Sequence, residues 1–256
     1  MYTPDIVTLR NFYATPFGES VRSLISNAIL QLWPAANGDV VVGLGYSTPY
    51  LSPYLKQATP LVACMPASQG AAYWPNDGDN LVLIAHDSEL PFAESSVNRV
   101  LLVHSIENSE QLSWIIQEIW RILTPSGRML VVVPNRRGMW SRSSRSPFGY
   151  GRPFSIAQVR DLLTTQNFTI TRTRSALFMP PTRIKCLWRG ANKLEAVGRF
   201  ICKFLGGFLG GVLLVEAEKK IYSTIRQPVV EARNYRGALA GGRAVLTLQK
   251  KNVTKS

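Results

Sequence analysis

Two glycines lie at the end of the first strongly apolar run of the chain, in the pentapeptide formed by residues 43–47, GLGYS. Glycine lets the backbone come close to a bound molecule, and ligands of α/β proteins bind at the carboxyl ends of the strands. The pattern therefore predicts that Gly43, Leu44, Gly45 and Tyr46 contact a ligand through their backbone. Any strand-to-helix turn can require glycine as well, so a purely structural role is the alternative.

A histidine directly follows another apolar run, residues 97–103. Imidazole titrates close to neutral pH, so His104 can take a proton from an attacking hydroxyl or amine. The sequence thus predicts a general base at position 104. Two alternatives remain open at this point, because the same histidine could cap the end of the strand or form one wall of a ligand pocket.

Arginines alternate with aromatic residues in the segment 134–154, PNRRGMWSRSSRSPFGYGRPF. Arginine binds phosphate and carboxylate groups, and aromatic side chains stack on bases and rings. The segment leaves a predicted strand at the rim where substrates enter. We therefore predict that Arg136, Arg137, Trp140 and Tyr150 contact an anionic substrate. The alternative is a solvated loop with its aromatic side chains packed beneath it.

Short apolar runs and helical periodicities indicate how these residues are positioned. The runs predict five successive strands, at residues 39–44, 60–64, 80–84, 97–103 and 129–133. Periodic apolar residues predict three helices, at residues 20–33, from 109 to a stop at Pro125 and Gly127, and at 155–166 with Ser155 as N-cap. The alternating segment 168–178 suits a sheet edge. Helices between parallel strands give right-handed crossovers, so the fold class is a doubly wound α/β sheet.

Charge is distributed unevenly between the two halves of the chain. Residues 1–120 contain 4 Lys or Arg against 11 Asp or Glu, whereas residues 121–256 contain 25 against 5. A basic half favours an anionic partner, either RNA or an acidic membrane surface. The alternative is a basic tail on an enzyme with a small-molecule or anionic substrate.

Cysteine usage and the first residues bear on compartment and metal binding. The chain has three cysteines, Cys64, Cys186 and Cys202, without metal-ligand spacing, so no metal is expected. Their odd number, with acidic and aromatic residues where a signal peptide has a basic end and an apolar run, favours the cytoplasm. The uncharged run of residues 204–215 is too short to span a bilayer, although contact with a membrane surface stays open.

The stretch 90–135 resembles the methyltransferase type 11 pattern of class I S-adenosylmethionine-dependent methyltransferases. The shared wording is LPF at residues 90–92, H-x-x-E at 104–107 and LTPSGR at 123–128. The resemblance implies a Rossmann-like, mostly parallel sheet of seven strands, with S-adenosylmethionine as cofactor. It also implies a last strand at residues 211–217, antiparallel to its neighbour, after a helical insertion at 182–210.

The same resemblance assigns further site residues. It places the methionine end of the cofactor at the glycine turn, and a ribose-binding acid at the position of Met65. It places an adenine-reading residue at His86 or Asp87, and further cofactor contacts at Leu90 and His104. Glu107 falls where the family has substrate-facing residues. Three positions depart from the pattern, since Val41 and Met65 replace acidic residues and Ser47 replaces the third glycine.

The resemblance divides the chain into a methyltransferase-like core at residues 1–180, an insertion with the last strand at 181–222, and a basic, poorly ordered tail at 223–256. A short strand at 244–248 is expected within the tail. Two functions follow. One is methyl transfer to a small or anionic substrate. The other is a catalytically inactive binding or assembly factor for RNA, a membrane surface or a protein, because fold does not fix function.

Overall fold

Seven strands pair in the order β3-β2-β1-β4-β5-β7-β6 in the computed structural model. Its described residues are 4–86, 89–144, 146–181, 195–198, 200 and 210–220. The strands are β1 (Val41–Gly45), β2 (Leu61–Pro66), β3 (Val82–Ala85), β4 (Val97–Val103), β5 (Leu123–Pro134), β6 (Phe168–Ala176) and β7 (Val212–Lys219). Strands β1 to β5 pair in parallel, and β7 runs antiparallel to both β5 and β6. The predicted doubly wound, mostly parallel fold is confirmed.

Alternating side chains of each strand enter two separate cores. Leu101, Val103 and Leu130 face one core, whereas Val100, Leu102 and Val131 face the other. Helices α1 (Ile6–Ala14), α2 (Pro16–Leu32) and α3 (Thr48–Leu51) contribute to the first core. Helices α4 (Leu112–Ile122) and α5 (Ile156–Thr165) contribute to the second. Both faces of the sheet are covered, as expected for parallel strands that are apolar on both sides.

The connection from α4 to β5 differs from the prediction. Helix α4 ends at Ile122, and Leu123 is already extended, with φ −69° and ψ 136°. Strand β5 therefore includes Pro125 and Gly127, which were predicted to stop a helix. The pairing of β4 with β5 is irregular at this point, with a register shift between Val97 and Arg99, because proline cannot donate to a regular ladder.

Helix α1 was not predicted, although α2 and α5 were. Asp5 caps α1 and accepts a hydrogen bond from the Thr8 amide at 2.7 Å. Thr15 then caps α2, which begins at Pro16, four residues earlier than predicted. The predicted N-cap of α5 is confirmed, since the Ser155 hydroxyl accepts the Gln158 amide in a reciprocal capping box.

The carboxyl-terminal part of the sheet matches the prediction where it is described. Strand β7 lies between β5 and the edge strand β6. The predicted insertion is described only at residues 195–198, which are helical, and at 200 and 210. The expected tail at 223–256 and its strand at 244–248 lie outside the described residues. None of the helices described combines the length and the apolar character required to cross a membrane.

Candidate functional site

The glycine turn lies at the carboxyl end of β1, between the ends of β2 and β4. Gly45 has φ +72°, and a Cβ at this residue would lie 2.5 Å from the Val103 carbonyl oxygen. A Cβ at Gly43 would lie 2.1 Å from the Ser47 Oγ and 2.6 Å from a methyl carbon of Leu51. Both glycines therefore keep the turn packed closely against its own neighbours, and this close packing places the turn beside the end of β4.

A buried hydrogen-bonded chain leads from two tyrosines to His104. The Tyr50 hydroxyl donates to the Tyr13 oxygen at 2.9 Å, and the Tyr13 hydroxyl lies 2.8 Å from His104 Nε2. On the other side of the ring, Nδ1 lies 3.3 Å from Glu107 Oε1. His104 and Glu107 are each 1% exposed. A hydroxyl from α1 and an imidazole and a carboxylate from the connection between β4 and α4 thus lie in sequence at the end of β4.

Burial fixes the protonation state of the tyrosines in this chain. Desolvation raises the pKa of Tyr13 well above its ordinary value, and burial also raises the pKa of Tyr50. Both phenols are therefore neutral donors at physiological pH. Since Tyr50 donates to Tyr13, the Tyr13 proton is free to point to His104 Nε2. That direction leaves the ring proton on Nδ1, facing Glu107 in a close contact that lacks the alignment of a regular hydrogen bond.

Several buried oxygen atoms near the hydrogen-bonded groups Tyr50, Tyr13 and His104 have no hydrogen-bond partner among the described residues. They belong to Ser47, Gln69, Glu107 and Asn108. Three of these residues contribute groups that only accept hydrogen bonds, namely two amide oxygens and a carboxylate. An unsatisfied buried acceptor costs about 1–3 kcal/mol, and more when it is charged. The edge is therefore suited to a ligand that carries several hydrogen-bond donors.

A cavity of about 380 Å³ opens beside these acceptors. Ser68, after β2, and His86, after β3, form one part of its lining, and residues of the connection before α4, with Ile115 of the helix itself, form another. The complete lining is Ser68, His86, Asn108, Ser109, Glu110, Gln111 and Ile115. His86 thus lies in a cavity at the edge where the adenine contact was predicted. Its alternative, Asp87, is outside the described residues.

Residues 39–131 match the family model for the methyltransferase domain. Over these residues the chain is similar to the methyltransferase domain. No curated protein sequence gives a significant match.

Solved methyltransferases share the fold at low sequence identity. A Thermotoga maritima enzyme, a possible histamine N-methyltransferase, is 16% identical with a TM-score of 0.53, and 78% of this chain and 91% of that chain are covered. In a Haloferax volcanii structure, the complex of a putative methyltransferase with the Trm112 activator, the sequence identity is 18% and the TM-score is 0.55. The match covers 80% of this chain and 94% of that chain. Burkholderia thailandensis 1,6-didemethyltoxoflavin-N1-methyltransferase, with 1,6-didemethyltoxoflavin and S-adenosylhomocysteine bound, is 14% identical with a TM-score of 0.53, and 84% of this chain and 85% of that chain are covered.

Met65 and Leu90 are buried, which bears on their predicted cofactor contacts. Met65, at the position of the ribose-binding acid, is fully buried in the core at the end of β2. Leu90 is 3% exposed, and its backbone is bonded to Glu118 and Arg121 of α4. Neither side chain offers a polar group. Their contact with a cofactor stays a prediction that the structure does not test.

The segment 134–154 separates into exposed arginines and buried aromatic residues. Arg136 and Arg137 are exposed. Trp140 is fully buried, stacks on Phe17 at 5.6 Å, and donates its indole N–H to the Met179 carbonyl at 2.8 Å. Tyr150 is half-buried and donates to the Ser144 carbonyl at 2.8 Å. Trp140 is therefore packed inside the protein, whereas the two arginines are accessible to a substrate.

Sequence reasoning missed four residues at the centre of the site, namely Tyr13, Tyr50, Gln69 and Asn108. Tyr13 comes from the unpredicted helix α1, and its contact with His104 spans 91 positions of the chain. Gln69 contacts the carbonyl of His104 across 35 positions. No spacing or local pattern marks such pairs. The only available signal was the aromatic character of the first residues of the chain.

The residues at the carboxyl edge fit S-adenosylmethionine on two observations. The buried acceptors match a ligand that has an ammonium group and two ribose hydroxyls, and the cavity is large enough for a nucleoside. The closely packed glycine turn lies beside the His104 carbonyl group, whose oxygen accepts hydrogen bonds from Gln69 and Asn108. The missing acids at Val41 and Met65 therefore do not leave the edge without acceptors, because other residues supply them.

Proposed function

We propose that this protein transfers a methyl group from S-adenosylmethionine to a nucleophilic acceptor that binds beside His104. The observation that supports this most strongly is the set of buried, unpartnered acceptors among the described residues at the carboxyl edge of the sheet. Such groups are costly unless a ligand satisfies them. The family match and the adjoining cavity favour this cofactor as that ligand.

The chain's own residues divide the work in this proposal. The backbone of residues 43–46 supports the amino-acid end of the cofactor, and the cavity lined by His86 and Asn108 receives the nucleoside. When bound, the cofactor supplies an electrophilic methyl group. Both carboxylate oxygens of Glu107 are buried and have no hydrogen-bond partner within the described chain. In this proposal Glu107 accepts a hydrogen bond from the cofactor or from the methyl acceptor.

His104 acts as base through Tyr13 in this proposal. Both ring nitrogens face protein groups and the side chain is buried, so a substrate proton reaches Nε2 by way of the Tyr13 hydroxyl. As the acceptor loses its proton to the Tyr13 oxygen, Tyr13 passes its own proton to His104. Glu107 then faces the resulting imidazolium. The buried chain thus moves one proton away from the nucleophile without exposing the histidine to water.

Replacing Tyr13 with phenylalanine tests this relay. The ring remains, so packing against Tyr46 and Tyr50 is retained while the hydroxyl is lost. Turnover is expected to fall about tenfold. This factor corresponds to the loss of one buried hydrogen bond whose free energy is near the upper end of the usual range. Binding of S-adenosylhomocysteine should stay within about threefold of wild type, a difference well under 1 kcal/mol. Unchanged turnover in the phenylalanine variant would remove Tyr13 from the proton path.

The exposed arginines favour a small acceptor with negative charge. Arg136 and Arg137 follow β5, at the carboxyl edge of the sheet, and both are accessible. Guanidinium groups bind carboxylate and phosphate in a bidentate manner. RNA or an anionic membrane surface is the alternative partner suggested by the basic half of the chain, and much of that half lies outside the described residues.

Thermal unfolding with cofactor present tests the proposed function. S-adenosylmethionine at about one hundred times its dissociation constant should stabilise the protein by about 2.7 kcal/mol and raise the melting temperature by several degrees. ATP is the matched control, because it shares the adenosine but lacks the methionine group. No shift at millimolar S-adenosylmethionine would contradict the proposal and favour the second function, an inactive binding or assembly factor.

A further inference from the structure

We infer that the amide oxygens of Gln69 and Asn108 accept hydrogen bonds from the ribose hydroxyls of the cofactor. The inference rests on the proposed function and concerns how this chain replaces the acid that is missing at Met65. Gln69 lies in the loop after β2, four positions beyond Met65. The replacement therefore comes from the same connection of the sheet.

The backbone of Gln69 is held from two directions. Its N–H donates to the Pro66 carbonyl at 3.0 Å, which closes a tight turn at the end of β2. Its carbonyl accepts the Ile6 amide at 2.9 Å, which ties the turn to the start of α1. The residue is 3% exposed. Gln69 is thus a fixed part of the carboxyl edge and not a mobile surface side chain.

The side chains of Gln69 and Asn108 converge on one atom. Gln69 Nε2 donates to the His104 carbonyl oxygen at 3.1 Å, and Asn108 Nδ2 donates to the same oxygen at 3.4 Å. With both amide nitrogens committed, each amide presents its oxygen elsewhere. Neither oxygen, Gln69 Oε1 or Asn108 Oδ1, has a partner in the described part of the chain, and both are buried. Two acceptors are therefore fixed around the end of β4.

A vicinal diol is the chemical group that suits this pair of acceptors. It offers two adjacent hydroxyl donors without charge, and neutral amide oxygens can accept both. An ammonium group would be better matched by the Glu107 carboxylate nearby, since charge-assisted hydrogen bonds are stronger. Asn108 also lines the 380 Å³ cavity, as does Ser68, the neighbour of Gln69. The pair therefore lies where a nucleoside in that cavity would present its sugar.

The test compares adenosine with 2′,3′-dideoxyadenosine, which lacks both hydroxyls, by calorimetric titration. The wild-type protein should bind adenosine about tenfold to thirtyfold more tightly, as two neutral hydrogen bonds would give. Gln69→Met keeps the length of the side chain but removes the acceptor, so the ratio of the affinities for the two nucleosides should fall at least about threefold. When Asn108→Leu is combined with Gln69→Met, the ratio should approach one. Gln117→Met is the matched control, since Gln117 is exposed on α4 and does not line the cavity, and its ratio should equal that of wild type.

Gln69→Glu separates loss of the acceptor from disruption of the loop. Glutamate loses the bond to the His104 carbonyl but keeps an acceptor, so discrimination between the two nucleosides should persist. If Gln69→Glu loses discrimination as fully as Gln69→Met, the amide oxygen is not the ribose acceptor. If the wild type binds S-adenosylhomocysteine but binds both nucleosides equally, the ribose assignment is wrong while the proposed function stands. If the wild type does not bind S-adenosylhomocysteine, the proposed function fails and the ribose assignment fails with it.

Discussion

Gly45→Val is expected to abolish measurable binding of S-adenosylhomocysteine and to destabilise the protein. The residue has φ +72°, and its Cβ would lie 2.5 Å from the Val103 carbonyl oxygen and 2.9 Å from that of His104. Both obstacles are backbone atoms of the neighbouring strand end, so no side-chain rotation can relieve them. The turn and the end of β4 must move apart. A displacement of about 1 Å can cost about a hundredfold, and backbone strain adds about 1–3 kcal/mol to the loss of stability.

Gly38→Val is the control for Gly45→Val. Gly38 has a similar φ of +73°, but no atom lies within 4 Å of its Cβ position. It therefore has the same conformational strain without the collision, before the start of β1. Titration of both folded variants with S-adenosylhomocysteine should show wild-type affinity for Gly38→Val only. Equal affinities of the Gly45→Val and wild-type proteins would show that the glycine turn does not support the cofactor.

Glu216→Ala is expected to lower the free energy of unfolding by about 3 kcal/mol, because it breaks a buried ion pair. This value is near the lower end of the usual range, since the Arg172 side chain can turn to solvent once its partner is removed. Glu216 is fully buried in β7. Arg172 donates to its two carboxylate oxygens at 2.6 and 2.9 Å, and the Trp33 indole N–H, at the end of α2, donates at 2.9 Å. Denaturation with urea would measure the loss. Glu218→Ala, two residues further on the same strand and only half-buried, should cost much less.

The Glu216 carboxylate also makes stability depend on pH. Burial raises its pKa, but hydrogen bonds from Arg172, Thr171 and Trp33 outweigh burial and keep the pKa below the ordinary 4.5. A group whose pKa is lowered on folding stabilises the protein above the pKa of the unfolded chain. The contribution is lost as pH falls below about 4.5 and through the lowered native value. Glu216→Gln should therefore unfold in acid with a shallower pH dependence than wild type. An unchanged profile would show that Glu216 is not the titrating group.

Local sequence patterns predicted most of the sheet for a physical reason. Strands buried on both faces are continuous apolar runs, and α4 has an apolar stripe at helical spacing, so each element is visible within a short window. The predicted connection between α4 and β5 was wrong because Pro125 and Gly127 are typical of helix ends. In this protein they lie in the first, irregularly paired part of β5. Helix α1 lacks a comparable stripe and depends on its Asp5 cap and tertiary packing.

The site could be predicted only where it coincides with a strand end. Gly45 is the last residue of β1 and His104 directly follows β4, so the fold class alone places them at the carboxyl edge. Tyr13 and Gln69 reach His104 from distant parts of the chain, and a sequence window contains no information about such contacts. The departures at Val41 and Met65 suggested a lost cofactor site. The structure instead shows buried acceptors from other residues at the same edge.

The central claim is that this altered carboxyl edge binds the S-adenosyl cofactor. Calorimetric titration of the wild-type protein with S-adenosylhomocysteine tests it most directly, because the demethylated cofactor binds without turnover. We expect saturable binding at one site with a micromolar dissociation constant, matched by a rise in melting temperature. Absence of both heat and melting shift at millimolar ligand would contradict the claim and show that the methyltransferase fold has been reused for another purpose.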